Sequence, residues 1–176
     1  MVTPNEFSHV IKLSEAGSVC RNVHLSADEA ARAGLMARFD LAALDSLKAD
    51  ISLTHDAEAV VATGRFTAEF AQYCIASHDI VPAKMDEAIY IRFIPEPVVR
   101  GEVELELEAD DCDTMFHDGQ TIDLGEAVAQ SLGLGLNPYP RSSEAEKMLK
   151  AAGVKSEEEV VSTGALAGLK DLLAKK

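Results

Sequence analysis

The chain has 176 residues, of which 47% are apolar, and carries 30 acidic against 16 basic side chains for a formal charge of −14. That length suffices for one domain with a substantial core, while the charge argues against independent RNA or DNA binding, which needs clustered Lys and Arg to release counterions. Trp is absent and aromatics make up 5% of residues, so Leu, Val, Ile and Ala must build the interior.

Phe7 to Leu13 alternates, with Phe7, His9, Ile11 and Leu13 set against Ser8 and Lys12, and predicts a strand. A turn at Ala16-Gly17 leads to a second extended piece, Val19 to Leu25. Ser26, with Glu29 three residues on, forms a capping-box pattern and predicts a helix from Ala27 to Arg38 that buries Ala31, Leu35 and Met36. From Leu44 the period becomes alternating. Leu47, Ala49, Ile51 and Leu53 share one face, and a turn at His55-Asp56-Ala57 leads into Val60 to Tyr73. Gly64 interrupts this hairpin and suggests a bulge or bend.

Ile80 to Phe93 is a third long strand, ended by Pro95 and Pro97. Val103, Leu105 and Leu107 then alternate with Glu102, Glu104, Glu106 and Glu108, giving a strand with one acidic face. Ala109 to Gln120 is turn-rich and predicts a loop. Asp123 is placed to cap a helix from Leu124 to Leu132 that buries Leu124, Val128 and Leu132. Beyond Pro140 the chain turns polar, and Leu166, Leu169, Leu172 and Leu173 return a weak helical period. Short isolated helices are marginal in water, so residues 142–176 read as a polar tail with one or two such helices.

The three cysteines form no disulfide framework, which fits a reducing compartment. The first residues lack the basic and apolar regions of a signal peptide. No apolar run approaches the roughly 20 residues of a membrane span. The expected location is therefore the cytoplasm, with no membrane partner.

Cys20–His24, Cys74–His78 and Cys112–His117 offer thiolate–imidazole pairs, but zinc wants four ligands and usually tight Cys-x-x-Cys knuckles. In a strand, positions four apart lie roughly 13 Å from one another. A Cys74 nucleophile would need His78 as base, an orienting third group and an oxyanion hole. Gly133-Leu134-Gly135 follows a helix and reads as its exit, not as a phosphate cradle. The segment Gly101 to Glu126 holds ten carboxylates and no Lys or Arg; it is either a solvated face or a docking surface for a basic partner. Its Asp110-Asp111-Cys112-Asp113 lacks the glycine and terminal Glu of a calcium loop. No catalytic, cofactor-binding or metal-ligating residue is assigned, and no cofactor is expected.

Several segments taken in order carry a resemblance. They are Glu6-Phe7-Ser8, Ala37-Arg38-Phe39-Asp40-Leu41, Leu44 to Leu53, and Gly64-Arg65-Phe66-Thr67-Ala68 leading to Cys74, with Pro82 eight residues later. The most specific is Ile122-Asp123-Leu124-Gly125-Glu126, continuing to Leu136-Asn137-Pro138-Tyr139-Pro140-Arg141. In these the chain resembles the YceD family of bacterial and plastid proteins linked to large-subunit ribosomal RNA accumulation, and most of all its alphaproteobacterial branch. Many members carry Cys-x-x-Cys where this chain has Cys74-Ile75-Ala76-Ser77, and further cysteines where it has Arg141-Ser142-Ser143. The resemblance implies a non-enzymatic role in large ribosomal subunit biogenesis.

The expectation is an α+β domain over residues 1–141, a mainly antiparallel sheet covered by the Ser26-capped and Asp123-capped helices. The acidic charge favours action through a basic ribosomal protein or assembly factor over direct RNA contact. Glu102, Glu104, Glu106, Glu108, Asn137, Pro138, Tyr139, Pro140 and Arg141 are the candidate partner-binding residues. The alternative is an acidic adaptor or chaperone-like binding module unrelated to ribosomes.

Overall fold

Alternation builds the main sheet. Along β3 (Leu41–Asp56), Leu47, Ala49, Ile51 and Leu53 are buried while Lys48 and Asp50 face solvent. The computed structural model describes residues 5–14, 20–56, 59–96 and 113–154. In it β3 pairs with β2 (Arg21–Ser26) on one side and β4 (Ala59–Tyr73) on the other. Next come β5 (Ile80–Pro95) and β6 (Thr114–His117), giving the order β2-β3-β4-β5-β6. The neighbours are antiparallel except β5 and β6, which run parallel. The fold is α+β, with a mainly antiparallel sheet.

Two helices supply much of the remaining core. α1 (Glu29–Phe39) lies on β3 and buries Ala31 and Leu35. α2 (Leu124–Gly135) packs against β5 and buries Leu124, Val128 and Leu132, as its spacing predicts. Full burial of a leucine such as Leu35 or Leu132 stabilises the fold by roughly 2 kcal/mol. A small second sheet joins β1 (Val10–Lys12) to β7 (Thr121–Asp123). A third helix, α3 (Ser143–Ala151), is capped by Ser142. Among the described residues no helix is long and apolar enough to cross a membrane.

Several expectations need correction. The cap of α1 is Asp28, whose carboxylate accepts from Ala31 N–H at 2.8 Å, and not Ser26. Ser26 is still in β2, paired with Lys48, and Ala27 N–H donates to the Leu47 carbonyl, so strand pairing holds the chain extended past the expected cap. The first strand is three residues long because β7, its partner, is no longer before α2 begins. β3 starts at Leu41, before the expected change of period.

Gly64 marks no bulge. Its register with Ile51 is continuous, and the irregularities fall at Leu41/Ala43 and Leu44/Ser46. A Cβ at Gly64 would lie 2.0 Å from the Asp50 carbonyl oxygen, so glycine here permits close approach of β3. The expected loop from Ala109 to Gln120 contains β6, which four residues are too few to reveal by pattern; pairing to β5 orders it. The acidic strand with Glu102, Glu104, Glu106 and Glu108, the turn at Ala16-Gly17, Cys112 and the leucines beyond residue 154 lie outside the described residues.

The Ile122 to Glu126 segment is where the elements are tied together. The Asp123 carboxylate caps α2 by accepting from Glu126 N–H at 3.2 Å. It also accepts from His9 N–H at 2.8 Å, Ser8 Oγ at 2.6 Å and Asn5 Nδ2 at 3.1 Å. Burial raises its pKa, but the bonds from Ser8, His9, Glu126 and Asn5 outweigh burial and leave the group below the usual carboxylate value. Gly125 lets this close approach happen, since a Cβ there would sit 2.5 Å from the Phe7 carbonyl oxygen. Glu126 then takes a bidentate pair from Arg38, both contacts at 2.8 Å, fastening α2 to α1. Glu6 adds a third contact to Arg38 at 3.4 Å.

Asp123→Ala is predicted to lower the free energy of unfolding by about 2 kcal/mol, through loss of the cap and of the bonds to the N-terminal segment. Asp123→Asn should recover roughly half of that, because an amide oxygen still caps. Urea titration at an unchanged slope is the measurement.

Candidate functional site

The turn beyond Tyr73 carries Cys74 and His78, two of the residues singled out for chemistry. Cys74 directly follows β4, and the turn Ile75 to Asp79 returns the chain to β5 through bonds from Cys74 N–H to the Asp79 carbonyl (2.8 Å) and from His78 N–H to the Cys74 carbonyl (2.9 Å). His78 completes this turn with φ of 59°, a left-handed conformation uncommon outside glycine. The segment leaving α2 is pinned onto the same turn. Ile75 N–H donates to the Pro140 carbonyl at 3.0 Å, and Gln72 Nε2 to the Asn137 carbonyl at 2.9 Å.

Ser77 and Ser142 meet beside Cys74. The Ser142 N–H points at the Cys74 sulfur, 3.3 Å away, and the two serine oxygens are also 3.3 Å apart. Both hydroxyls donate to the Asp79 carboxylate, Ser77 at 2.6 Å and Ser142 at 3.1 Å. Asp79 is consequently held below the ordinary carboxylate value, chiefly by Ser77 and then by Ser142. Ser77 and Ser142, two of the positions where the resemblance implies thiols, thus meet at one point as hydroxyls.

The sulfur itself is fully buried. Its pKa falls to about 6, first through the Ser77 hydroxyl and then through the N–H groups of Ser142, Ala76 and Ser77, with burial opposing them. Ser77 has one proton, and Asp79 competes for it. The backbone donors support the sulfur in either arrangement. The His78 imidazole is exposed, and His78 meets Cys74 through its backbone N–H, so the turn does not build a Cys–His pair. Cys20 is exposed on the chain before β2, and His24 pairs instead with Asp50 across the strands at 2.7 Å. Among the described residues no three His, Cys, Asp or Glu side chains gather where they could hold a metal ion.

Beside the Cys74 turn lies an open groove of about 340 Å³. Phe39 and Asp40 form one wall, Tyr73 and Ile75 another, and Leu136, Asn137, Pro138 and Pro140 the third. Of the candidate partner-binding residues, Asn137, Pro138 and Pro140 therefore line one feature. Tyr139 is 69% exposed next to it, and Arg141 is exposed outside its lining. Tyr73, Ile75, Phe39 and Asp40 were not chosen from the sequence. Tyr73 and Ile75 fall where β4 ends, and their exposure follows from the turn, which no period reveals.

No family model, curated protein or solved structure matches this chain.

In a background without Cys20 and Cys112, ultraviolet thiolate absorbance should titrate with a midpoint of about 6, and Ser77→Ala should move it upward. The linkage has a definite sign. An acid whose pKa falls from 9.0 to about 6 on folding stabilises the fold fully above 9.0, less as the pH falls, and not at all below 6. The stability difference between the parent and Cys74→Ala should accordingly widen as pH rises from 6 to 9.0, as read by denaturant unfolding across that window.

Proposed function

We propose that this chain is a non-enzymatic accessory factor in large ribosomal subunit biogenesis, promoting processing or accumulation of ribosomal RNA by binding a protein partner. The observation that carries the reading is the use the fold makes of the two most specific resembling segments. Ile122 to Glu126 ties the N-terminal segment, α1 and α2 together, and Leu136 to Arg141 is pinned by Gln72 and Ile75 as the wall of an exposed groove. One segment holds the fold, and the other presents a surface.

The charge of −14 supports a protein partner over naked RNA, because phosphate binding draws most of its affinity from cations. A basic ribosomal protein or assembly factor has the complementary charge. An acidic partner-binding surface also speeds encounter with such a protein, to a degree that salt reduces.

Cells lacking the protein should show a deficit of large subunits on a sucrose gradient, with precursor ribosomal RNA in the lighter fractions. An unchanged profile at normal and low growth temperature would overturn the ribosomal reading and put the general adaptor in its place.

A further inference from the structure

We infer that the groove beside the Cys74 turn binds a basic segment of a protein partner, seating a lysine or arginine head group at Asp40 and aliphatic neighbours on Tyr73, Ile75, Leu136 and Pro138. This deepens the partner-protein reading above and rests on it.

The surface is apolar and open. Tyr73 is 43% exposed and Ile75 50% exposed, at the end of a strand whose preceding residues Phe70 and Ala71 are buried. Its position is fixed, since the bonds from Gln72 and Ile75 to the Asn137–Pro140 segment hold both walls. The site is therefore preformed, which spares a partner the ordering of the groove on binding.

Its electrostatics select the head group. Asp40 lies at the C-terminus of α1, where a carboxylate opposes the helix dipole, and it holds φ of 51° in the left-handed region. The charge at the helix end is unfavourable for the fold, and Asn, which tolerates the left-handed region as Asp does, would relieve it. The residues ending α2 line the same groove, so two helix C-termini, each with partial negative charge, converge on it. No basic residue occupies the last turn of α2. Arg38, in the last turn of α1, is committed to Glu126 and Glu6. A carboxylate, two helix ends and the exposed ring of Tyr73 together make a place for a cation. Phe39 already shows this chemistry within the chain, with the Arg38 guanidinium 5.2 Å from its ring centre.

The test uses the purified full chain and a labelled synthetic peptide alternating leucine with lysine and arginine, against a peptide with glutamate at the basic positions. Binding is followed by fluorescence anisotropy and by amide chemical shifts. The basic peptide should bind, shift the resonances of Asp40, Tyr73 and Ile75, and lose roughly five- to tenfold in affinity with Asp40→Asn, a loss on the scale of a single charged contact. Glu87→Gln, the same charge change on an exposed stretch of β5, should leave binding within twofold. Asp40→Asn should be at least as stable as the parent to heat, which separates a binding defect from a folding one.

Equal losses for Asp40→Asn and Glu87→Gln, shifts confined to another face, or equal binding of both peptides would overturn the groove as the site. The assay contains no ribosomal material. Its failure would leave a subunit deficit in the deletion strain standing, and a normal gradient would leave peptide binding at the groove standing.

Discussion

The carboxylate of Asp123 is the constraint on which the arrangement of this protein depends. It ends β7, caps α2 and receives three bonds from Asn5, Ser8 and His9, so one side chain fixes the chain's beginning to its second long helix. A carboxylate is suited to this because it offers several acceptor positions and no donor. Its bonds hold the ionised form in spite of burial, and an ionised group at a helix N-terminus also gains from the dipole. Glu126 carries the restraint onward to Arg38, and through it α1 and α2 are locked at a fixed separation. The lock joins the last turn of α1, beside the groove residues Phe39 and Asp40, to the first turn of α2, whose far end supplies the opposite wall.

What could be read in the sequence follows from how local each cause is. The inner face of β3 was legible because Leu47, Ala49, Ile51 and Leu53 repeat a two-residue period over a long run. Asp123 was legible as a cap because the helix beyond it has a clear apolar stripe. The Asp28 cap was obscured by a competing pattern, since Ser26 and Glu29 match a capping box and only the pairing of β2 with β3 decides between them. β6 was hidden for a related reason. Four residues do not establish a period, and what makes them a strand is the edge of β5, far away in sequence.

The candidate site shows the same division. Asn137, Pro138 and Pro140 were chosen for the stiffness of a proline-flanked exit, and the structure places them in one wall of the groove. The other walls come from residues with no local mark. Asp40 and Tyr73 are brought level because Leu41 pairs with Gln72, a pairing that takes the two register shifts at Leu41/Ala43 and Leu44/Ser46 to reach. The serine cluster was likewise only half visible. That Ser77 and Ser142 stand where the resemblance implies thiols was legible, but not that both bond one carboxylate, Asp79.

That cluster and the groove share a wall, and this gives the Cys74 turn a role without requiring any reaction at sulfur. The segment leaving α2 must cross the end of the sheet, where the last strand residues would otherwise leave donors unpaired. Ile75 N–H is satisfied by the Pro140 carbonyl, and Ser142 N–H by the buried sulfur. A polarizable sulfur tolerates a longer and less directional contact than oxygen does, which suits a junction between two turns. The crossing segment is therefore clamped on both sides of Pro140. Release of the Ser142 bond would loosen the connection into α3 and the groove wall together. In this fold the Cys74 sulfur serves as an acceptor that keeps a surface in shape.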